Sequence, residues 1–242
     1  MGTENQLLCS QLVHDLKNFL TVVFCTSQLI LEESNCESAH YYVQQIIRSC
    51  GAVERLLEEV LNLSQVELGK LPLKLHDIAI VDELRTIVEA HKLHAKEKSL
   101  ALVLRFDGPI PRQVRTDSLR LQQILSNLIG NAVKFTPSGK VDVVCHHDGE
   151  NLSVMVADTG TGIDTSDRTR VFEPYHRPTE EKSHGLGLPL ARRLARLLGG
   201  DVCLLDSKRG MGSSFLVVVK APISPGCSDP EEFVYAGIFK CT

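Results

Sequence analysis

Between Asp117 and Phe135, apolar residues recur at three- and four-residue steps: Leu121, Ile124, Leu125, Leu128 and Ile129. That spacing predicts one amphipathic helix over 117–135. Its polar face carries Asn127, Asn131 and Lys134. Asn127 and Asn131 are four apart and stack one above the other, with Lys134 three further on. Taken alone, the same face would suit a solvated helix ending in a lysine.

Two more helical patterns precede it. In residues 5–33, Leu12, Leu16, Phe19, Val23 and Ile30 fall in one stripe, and Val13, Leu20, Phe24 and Leu31 widen it to one side. SNCES (34–38) reads as a turn. A second run follows with Val43, Ile46, Cys50, Val53, Leu57, Val60, Leu61 and Leu68, stopped by Gly69 and then Pro72. Apolar faces this wide belong in a bundle. The pattern predicts an antiparallel hairpin that pairs with a second copy as a four-helix bundle, hence a homodimer.

From Leu71 the period changes. A short strand in LPLKLHDIAI and a helix over VDELRTIVEAHKLHAKEK, starting near Val81 or Asp82, are followed by the alternating strand SLALVLRF. PIPRQVRTD (109–117) reads as a loop into the 117–135 helix. Strands GKVDVVCHH and NLSVMVAD are joined by a DGEN turn. A helix over 187–198 and strands over 201–206 and 213–220, joined by RGMG, complete the pattern. Hairpin strands with helices gathered elsewhere indicate α+β, helices packed on one face of a mixed sheet. The expected divisions are 1–69 for the hairpin, 70–222 for the α+β domain and 223–242 for a tail. That tail begins like a linker and ends in an apolar segment: an added strand, a docking peptide, or the stub of a missing domain.

Composition narrows the classes. At 43% hydrophobic and 23% charged residues the chain is globular. A net charge of −4 makes no electrostatic case for nucleic acid or an anionic membrane surface. No apolar run approaches the roughly 20 residues that span a bilayer. The eight cysteines show no CxxC pair or metal-type spacing with histidine, as in a reduced cytoplasmic protein. Cys9, Cys25 and Cys50 fit small core-filling thiols better than a redox switch.

The candidate chemistry lies in three places. Strand NLSVMVAD ends at Asp158, and Thr159-Gly160-Thr161-Gly162 follows. Gly160 and Gly162 let the backbone turn sharply and approach a flat ligand. The Asp158 carboxylate is then available to accept from an exocyclic amine such as adenine's. Residues 164–184 lack periodicity and end in SHGLGL, where Gly185 and Gly187 open a helix whose bare N–H groups suit phosphate oxygens. A long segment between two glycine clusters is the pattern of a lid over a nucleotide. On the first helix, His14 lies on the solvent side, with Asp15 adjacent and Asn18 one turn on. Asp15 is placed to fix the imidazole tautomer and leave the other nitrogen as nucleophile, and Asn18 to hold a water beside it.

In their order, these stretches resemble the catalytic core of a sensor histidine kinase of two-component signalling, over about residues 7–221. HDLKN (14–18) resembles the phosphoacceptor box, NLIGNAVKF (127–135) the N box, DTGTG (158–162) the G1 box, FEPYHR (172–177) the F box and GLGL (185–188) the G2 box. The last four together resemble the Bergerat ATP-binding fold, an α/β sandwich shared with gyrase, Hsp90 and MutL. The resemblance implies that His14 attacks the γ-phosphate of ATP, with Asp15 as its base, and passes the phosphoryl group to an Asp of a response regulator receiver domain. It implies Asn131 as the Mg²⁺ ligand, with Asn127 and Lys134 near the phosphates. Asp158 would read the adenine amine, with Gly160 and Gly162 shaping that pocket. Phe172 would pack the lid, Arg177 would reach the terminal phosphate, and Gly185 and Gly187 would flank the phosphates. Asn18 stands where family members with phosphatase activity carry Thr or Asn.

Three departures qualify the match. Phe19 stands where the family usually has Pro, which predicts a straighter helix. Ser183 stands where the G2 box opens with Gly. Only thirteen residues precede His14, so either the chain is a fragment or its input arrives from a partner protein. The alternative function is a histidine phosphotransfer protein or pseudokinase scaffold with a non-catalytic ATP domain. An ATPase of the gyrase and Hsp90 type would leave the hairpin unexplained.

Overall fold

A computed structural model describes residues 18, 20–30, 32, 36–176, 185–225, 233–234 and 238–240. The chain divides into two compact units, Met1–Ser64 and Gln65–Thr242.

In the first unit, residues 20–30 are helical, and a 32-residue helix, α1, spans Cys36–Glu67. It starts inside the stretch expected to be a turn, because CESAH contains nothing that breaks a helix. Gly69 ends it at φ +62°, a conformation glycine adopts without penalty. Leu56 and Leu63 are buried, whereas Leu20, Phe24, Val43, Ile47, Leu57 and Leu61 are exposed. Cys25 and Cys50, expected as core fillers, are exposed free thiols.

The second unit is α+β. β1 (His76–Ala79) leads directly into α2 (Ile80–Glu97), followed by β2 (Ala101–Phe106). The 109–117 stretch is not simply a loop: it contains β3 (Ile110–Pro111) and β4 (Gln113–Thr116), and β4 pairs antiparallel with β1. Alternation explains it, since Val114 and Thr116 point inward and are fully buried while Gln113 and Arg115 face out. Then come α3 (Ser118–Phe135), β5 (Lys140–His147), β6 (Asn151–Asp158), α4 (Gly187–Leu197), β7 (Asp201–Lys208) and β8 (Gly212–Lys220). In the tail, β9 (Phe233–Val234) pairs with β3, and β10 (Ile238–Lys240) pairs with β2.

The main sheet has the order β10-β2-β5-β6-β8-β7. β2 and β5 are parallel and every other neighbouring pair is antiparallel. Parallel neighbours need a crossover, and α3 lies in the connection between β2 and β5. β6 and β7 both run antiparallel to β8 and so parallel to each other, and α4 lies in their connection. α3 packs against both α2 and α4. Leu121, Ile124, Leu125, Leu128 and Ile129 are all buried, as their spacing requires. At roughly 1.5–3 kcal/mol for each large side chain removed from water, this face holds a helix that would be marginal by itself.

Candidate functional site

The site starts at the capped helix α3. Asp117 is 3% exposed and accepts from Arg120 N–H through Oδ1 at 3.2 Å and from Lys74 N–H through Oδ2 at 2.7 Å. One carboxylate thus caps α3 and ties down the chain before β1. At the other end, Lys98 Nζ donates to the carbonyls of Val133 (2.9 Å) and Lys134 (2.6 Å). A cation on the last carbonyls suits the negative end of a helix. Sequence periodicity gave no sign of Lys98, because its partners are 35 residues or more away.

Between these ends, Asn127, Asn131 and Lys134 are half-buried on one face. Asn127 borders the start of α4: a β-carbon at Gly187 would come within 3.0 Å of its Oδ1. Leu186, the residue at the N-terminus of α4, makes no side-chain cap, and the first N–H groups and the positive end of the helix dipole lie beside Asn127 of α3. Lys134 Nζ sits 5.0 Å from the centroid of the Phe135 ring.

Asp158 ends β6, and the DTGTG turn is wedged between two other parts of the domain. Thr161 N–H donates to the Phe135 carbonyl at 3.1 Å, and Gly210 N–H donates to the Thr161 carbonyl at 2.7 Å. A β-carbon at Gly160 would strike the Phe135 carbonyl, and one at Gly162 the Lys208 carbonyl. Gly162 also has φ +65°. Both glycines are therefore required by close approach. Asp158 Oδ1 accepts from Gly160 N–H at 2.8 Å and Ser213 N–H at 3.2 Å. Burial pushes its carboxyl above the ordinary aspartate value, against the pull of those two hydrogen bonds.

The segment after the turn returns to the domain at an aromatic contact. Phe172 meets Phe215 edge-on at 6.3 Å, and the Arg192 guanidinium lies 4.6 Å over the Phe172 ring. Arg192 also pairs with Asp201 at 2.9 Å. Tyr175 N–H donates to the Gly185 carbonyl at 2.9 Å, and Gly185 has φ +67°. His176 Nε2 lies 3.0 Å from Asp167 Oδ1. The roles of Arg192 and His176 were not visible in the sequence, since each depends on a partner in another element or turn.

Of the expected site residues, the structure gathers Asn127, Asn131, Lys134, Asp158, Gly160, Gly162, Phe172, Gly185 and Gly187 in the second unit. Asn18 is an exposed helical residue of the first. His14, Asp15 and Arg177 lie outside the described residues, as do Phe19 and Ser183. No cluster of three or more His, Cys, Asp or Glu able to hold a metal occurs among the described residues. Nor does any helix among them have the length and apolarity to cross a membrane.

Helices on one face of a mixed sheet, an anchored aspartate and a helix N-terminus beside Asn127 form an α+β domain with a site suited to a nucleotide. The family of histidine kinase-, DNA gyrase B-, and HSP90-like ATPases matches residues 116–223. The aerobic respiration control sensor protein ArcB of Escherichia coli (strain K12) is 32% identical over 222 residues, 88% of this chain and 28% of that protein. The autoinducer 2 sensor kinase/phosphatase LuxQ of Vibrio vulnificus (strain YJ016) is 29% identical over 228 residues, 90% of this chain and 26% of that protein. The crystal structure of full-length ShkA in complex with AMPPNP superposes with a TM-score of 0.70 at 27% identity, covering 91% of this chain and 46% of that one. The chain thus spans about a quarter of the length of these curated relatives. Residues 116–223 match this ATPase family, and most of the chain is similar to the ATP-binding catalytic core of sensor histidine kinases.

Proposed function

We propose that the chain is an ATP-dependent protein histidine kinase that autophosphorylates on His14 and passes the phosphoryl group to an Asp of a response regulator receiver domain. The observation that carries this is the pairing of Asp158, fixed by backbone donors through Oδ1, with the uncapped start of α4 beside Asn127. The first suits the adenine amine and the second the phosphates. Phosphoryl transfer needs mainly positioning and charge neutralisation, which these groups supply.

On this reading Gly160 and Gly162 shape the adenine pocket, Gly185 and Gly187 flank the phosphates, Lys134 neutralises phosphate charge, Phe172 seats the lid, and Arg177 reaches the terminal phosphate. Asn131 is the protein ligand for Mg²⁺: a neutral amide oxygen is a hard donor, and this ion keeps waters and substrate phosphates in its shell rather than needing a protein cage. When bound, the ion neutralises charge on the phosphates. Asp15 orients and deprotonates the His14 imidazole, and Asn18 holds water for the reverse, dephosphorylating reaction.

The dimer is part of the proposal. Val43, Ile47, Leu57 and Leu61 are exposed along α1. With Cys50 they fall at steps of four, three, seven and four, the spacing of a seam in a coiled-coil-like bundle. Leu20 and Phe24 on the preceding helix are equally uncovered. A second hairpin would bury them, with the domains dividing near residue 69 and the tail beyond 222 adding strands.

Incubation with γ-labelled ATP and Mg²⁺ is expected to give acid-labile protein-bound label, absent from His14→Ala. Label that survives this substitution sinks the assignment. Asn131→Asp is expected to change the Mg²⁺ dependence of labelling, and an unchanged dependence counts against Asn131 as ligand. A scaffold without catalysis predicts no saturable Mg·ATP binding at all.

A further inference from the structure

From β2 to β4 the chain is accompanied by its own tail, running the other way. Val114 bridges Ile223 in antiparallel alignment, with Arg115 N–H donating to the Pro222 carbonyl at 2.9 Å and Ser224 N–H to the Gln113 carbonyl at 3.2 Å. Ser224 is 3% exposed, and its Oγ donates to Asp77 Oδ1 at 3.0 Å. Further on, Phe233 and Val234 stand opposite Pro111 and Ile110, and Ile238, Phe239 and Lys240 stand opposite Arg105, Leu104 and Val103. Residues 235–237 separate the two pairings on the tail and 106–109 on the domain side, so both fall in nearly the same register.

This track is the border of the main sheet. β5 lies on one side of β2 and β10 on the other. Ala101 N–H donates to the Gly139 carbonyl at 3.1 Å and Asp107 N–H to the Cys145 carbonyl at 2.8 Å, so the odd-numbered residues of β2 turn their N–H and C=O groups toward the β5 side. Leu104 therefore turns its own toward the tail. Leu104 with Phe239 is the hydrogen-bonded pair of the antiparallel ladder, and Val103 with Lys240 and Arg105 with Ile238 are the non-hydrogen-bonded ones.

Little backbone pairing holds the distal segment. One hydrogen-bonded pair joins β10 to β2, and Pro111 in β3 has no N–H to give. Pro109, between β2 and β3, lacks one as well. Pairings this short are marginal by themselves. The clamp at 222–224 favours them by keeping the rest of the tail at a high effective concentration. A strand edge is also a template for any extended chain that can complete its hydrogen bonds.

We infer that the border formed by β2 and β3 is a docking site for an extended peptide in antiparallel alignment, occupied in cis by Phe233–Val234 and Ile238–Lys240 and open to exchange with the same sequence in trans. The fitting segment must present an N–H and a C=O opposite Leu104, which excludes proline there.

Two proline variants of the full chain test this. Phe239→Pro removes the N–H that faces β2, whereas Lys240→Pro removes one that faces away, which an edge strand tolerates. By NMR, Leu104 N–H should exchange on the order of tenfold faster in Phe239→Pro, the worth of about one backbone hydrogen bond, and nearly as in the unaltered chain in Lys240→Pro. A labelled peptide with the sequence of residues 229–242, followed by anisotropy, should bind Phe239→Pro at least about tenfold more tightly than the unaltered chain, whose site is filled. The same peptide with proline in place of Phe239 should not bind. In the unaltered chain by itself, Leu104 N–H should already exchange faster than the Val103 and Arg105 N–H groups, which face β5, and equal protection overturns exchange whether or not the variants fold. Equal peptide binding to both chains, or binding of the proline peptide, overturns the docking site. A smaller particle for Phe239→Pro by light scattering would put the segment between two copies and overturn its occupancy in cis.

Discussion

Asp158 is a half-buried carboxylate whose two requirements pull in opposite directions. Burial raises its folded-state value above that of the unfolded chain. Between those two values the folded chain holds more proton than the unfolded one, so this group's contribution to stability falls as pH rises, and at neutral pH its ionised burial is a cost. On the proposed reading, ligand binding runs the other way, because the adenine amine needs the ionised acceptor. ATP affinity is therefore expected to weaken as pH falls through the raised value, at a less acidic pH than an ordinary carboxylate would give. A series of dissociation constants from pH 8 to pH 4 measures this. Asp158→Asn keeps an oxygen for Gly160 N–H and Ser213 N–H but turns an NH₂ toward the base. It should lower ATP affinity on the order of 10- to 100-fold, the loss of a charge-assisted hydrogen bond. Its ligand-free Tm should be unchanged or higher. A variant that binds ATP normally would detach Asp158 from the adenine.

At the scale of the element, α3 shows how distant residues set a helix end that carries function. Its last carbonyls accept from Lys98 Nζ, and its final residue, Phe135, accepts from Thr161 N–H in the DTGTG turn. Lys98→Met is expected to cost about 1 kcal/mol, the worth of a cation at a partly exposed helix C-terminus, or about 2–4 °C in Tm for a domain of this size. Because the freed helix end adjoins the turn, ATP affinity should fall as well. A melt and a titration on the same sample check both, and a lowered Tm with unchanged affinity would separate the helix end from the site. The helix itself was legible from Leu121 to Ile129, since a 3.6-residue period is a local property. Lys98 and the strands within 109–117 were not, because what they pair with is set by chain crossings.

For the whole molecule, the first unit exposes large apolar side chains that the proposed bundle would cover. Phe24, Ile47 and Leu61 are each at least 60% exposed. If they pack between two copies, the particle should have about twice the 26.7 kDa mass of one chain. Ile47→Glu with Leu61→Glu should then reduce the mass to that of one chain, because charges at a buried seam are strongly unfavourable. Light scattering after size exclusion measures this, and ATP binding, which belongs to the other unit, should persist. A native chain that runs as a monomer would refute the bundle.

Local chemistry sufficed for much of this protein. The apolar stripe of α3, the alternating strands, Gly69 as a helix stop and the Asp158-Thr159-Gly160-Thr161-Gly162 turn after β6 each follow from spacing and residue type within a few positions. The polar face of 117–135 was equally apparent, but whether it faced solvent or a site was not. That was decided by the crossover that carries α3 from β2 to β5, and by α4, whose start meets Asn127. Gly160 and Gly162 likewise depend on carbonyls 25 or more residues away. Side-chain periodicity is carried by the backbone alone, whereas a binding site needs groups from separate elements at hydrogen-bond distance, and only the packed fold fixes those distances.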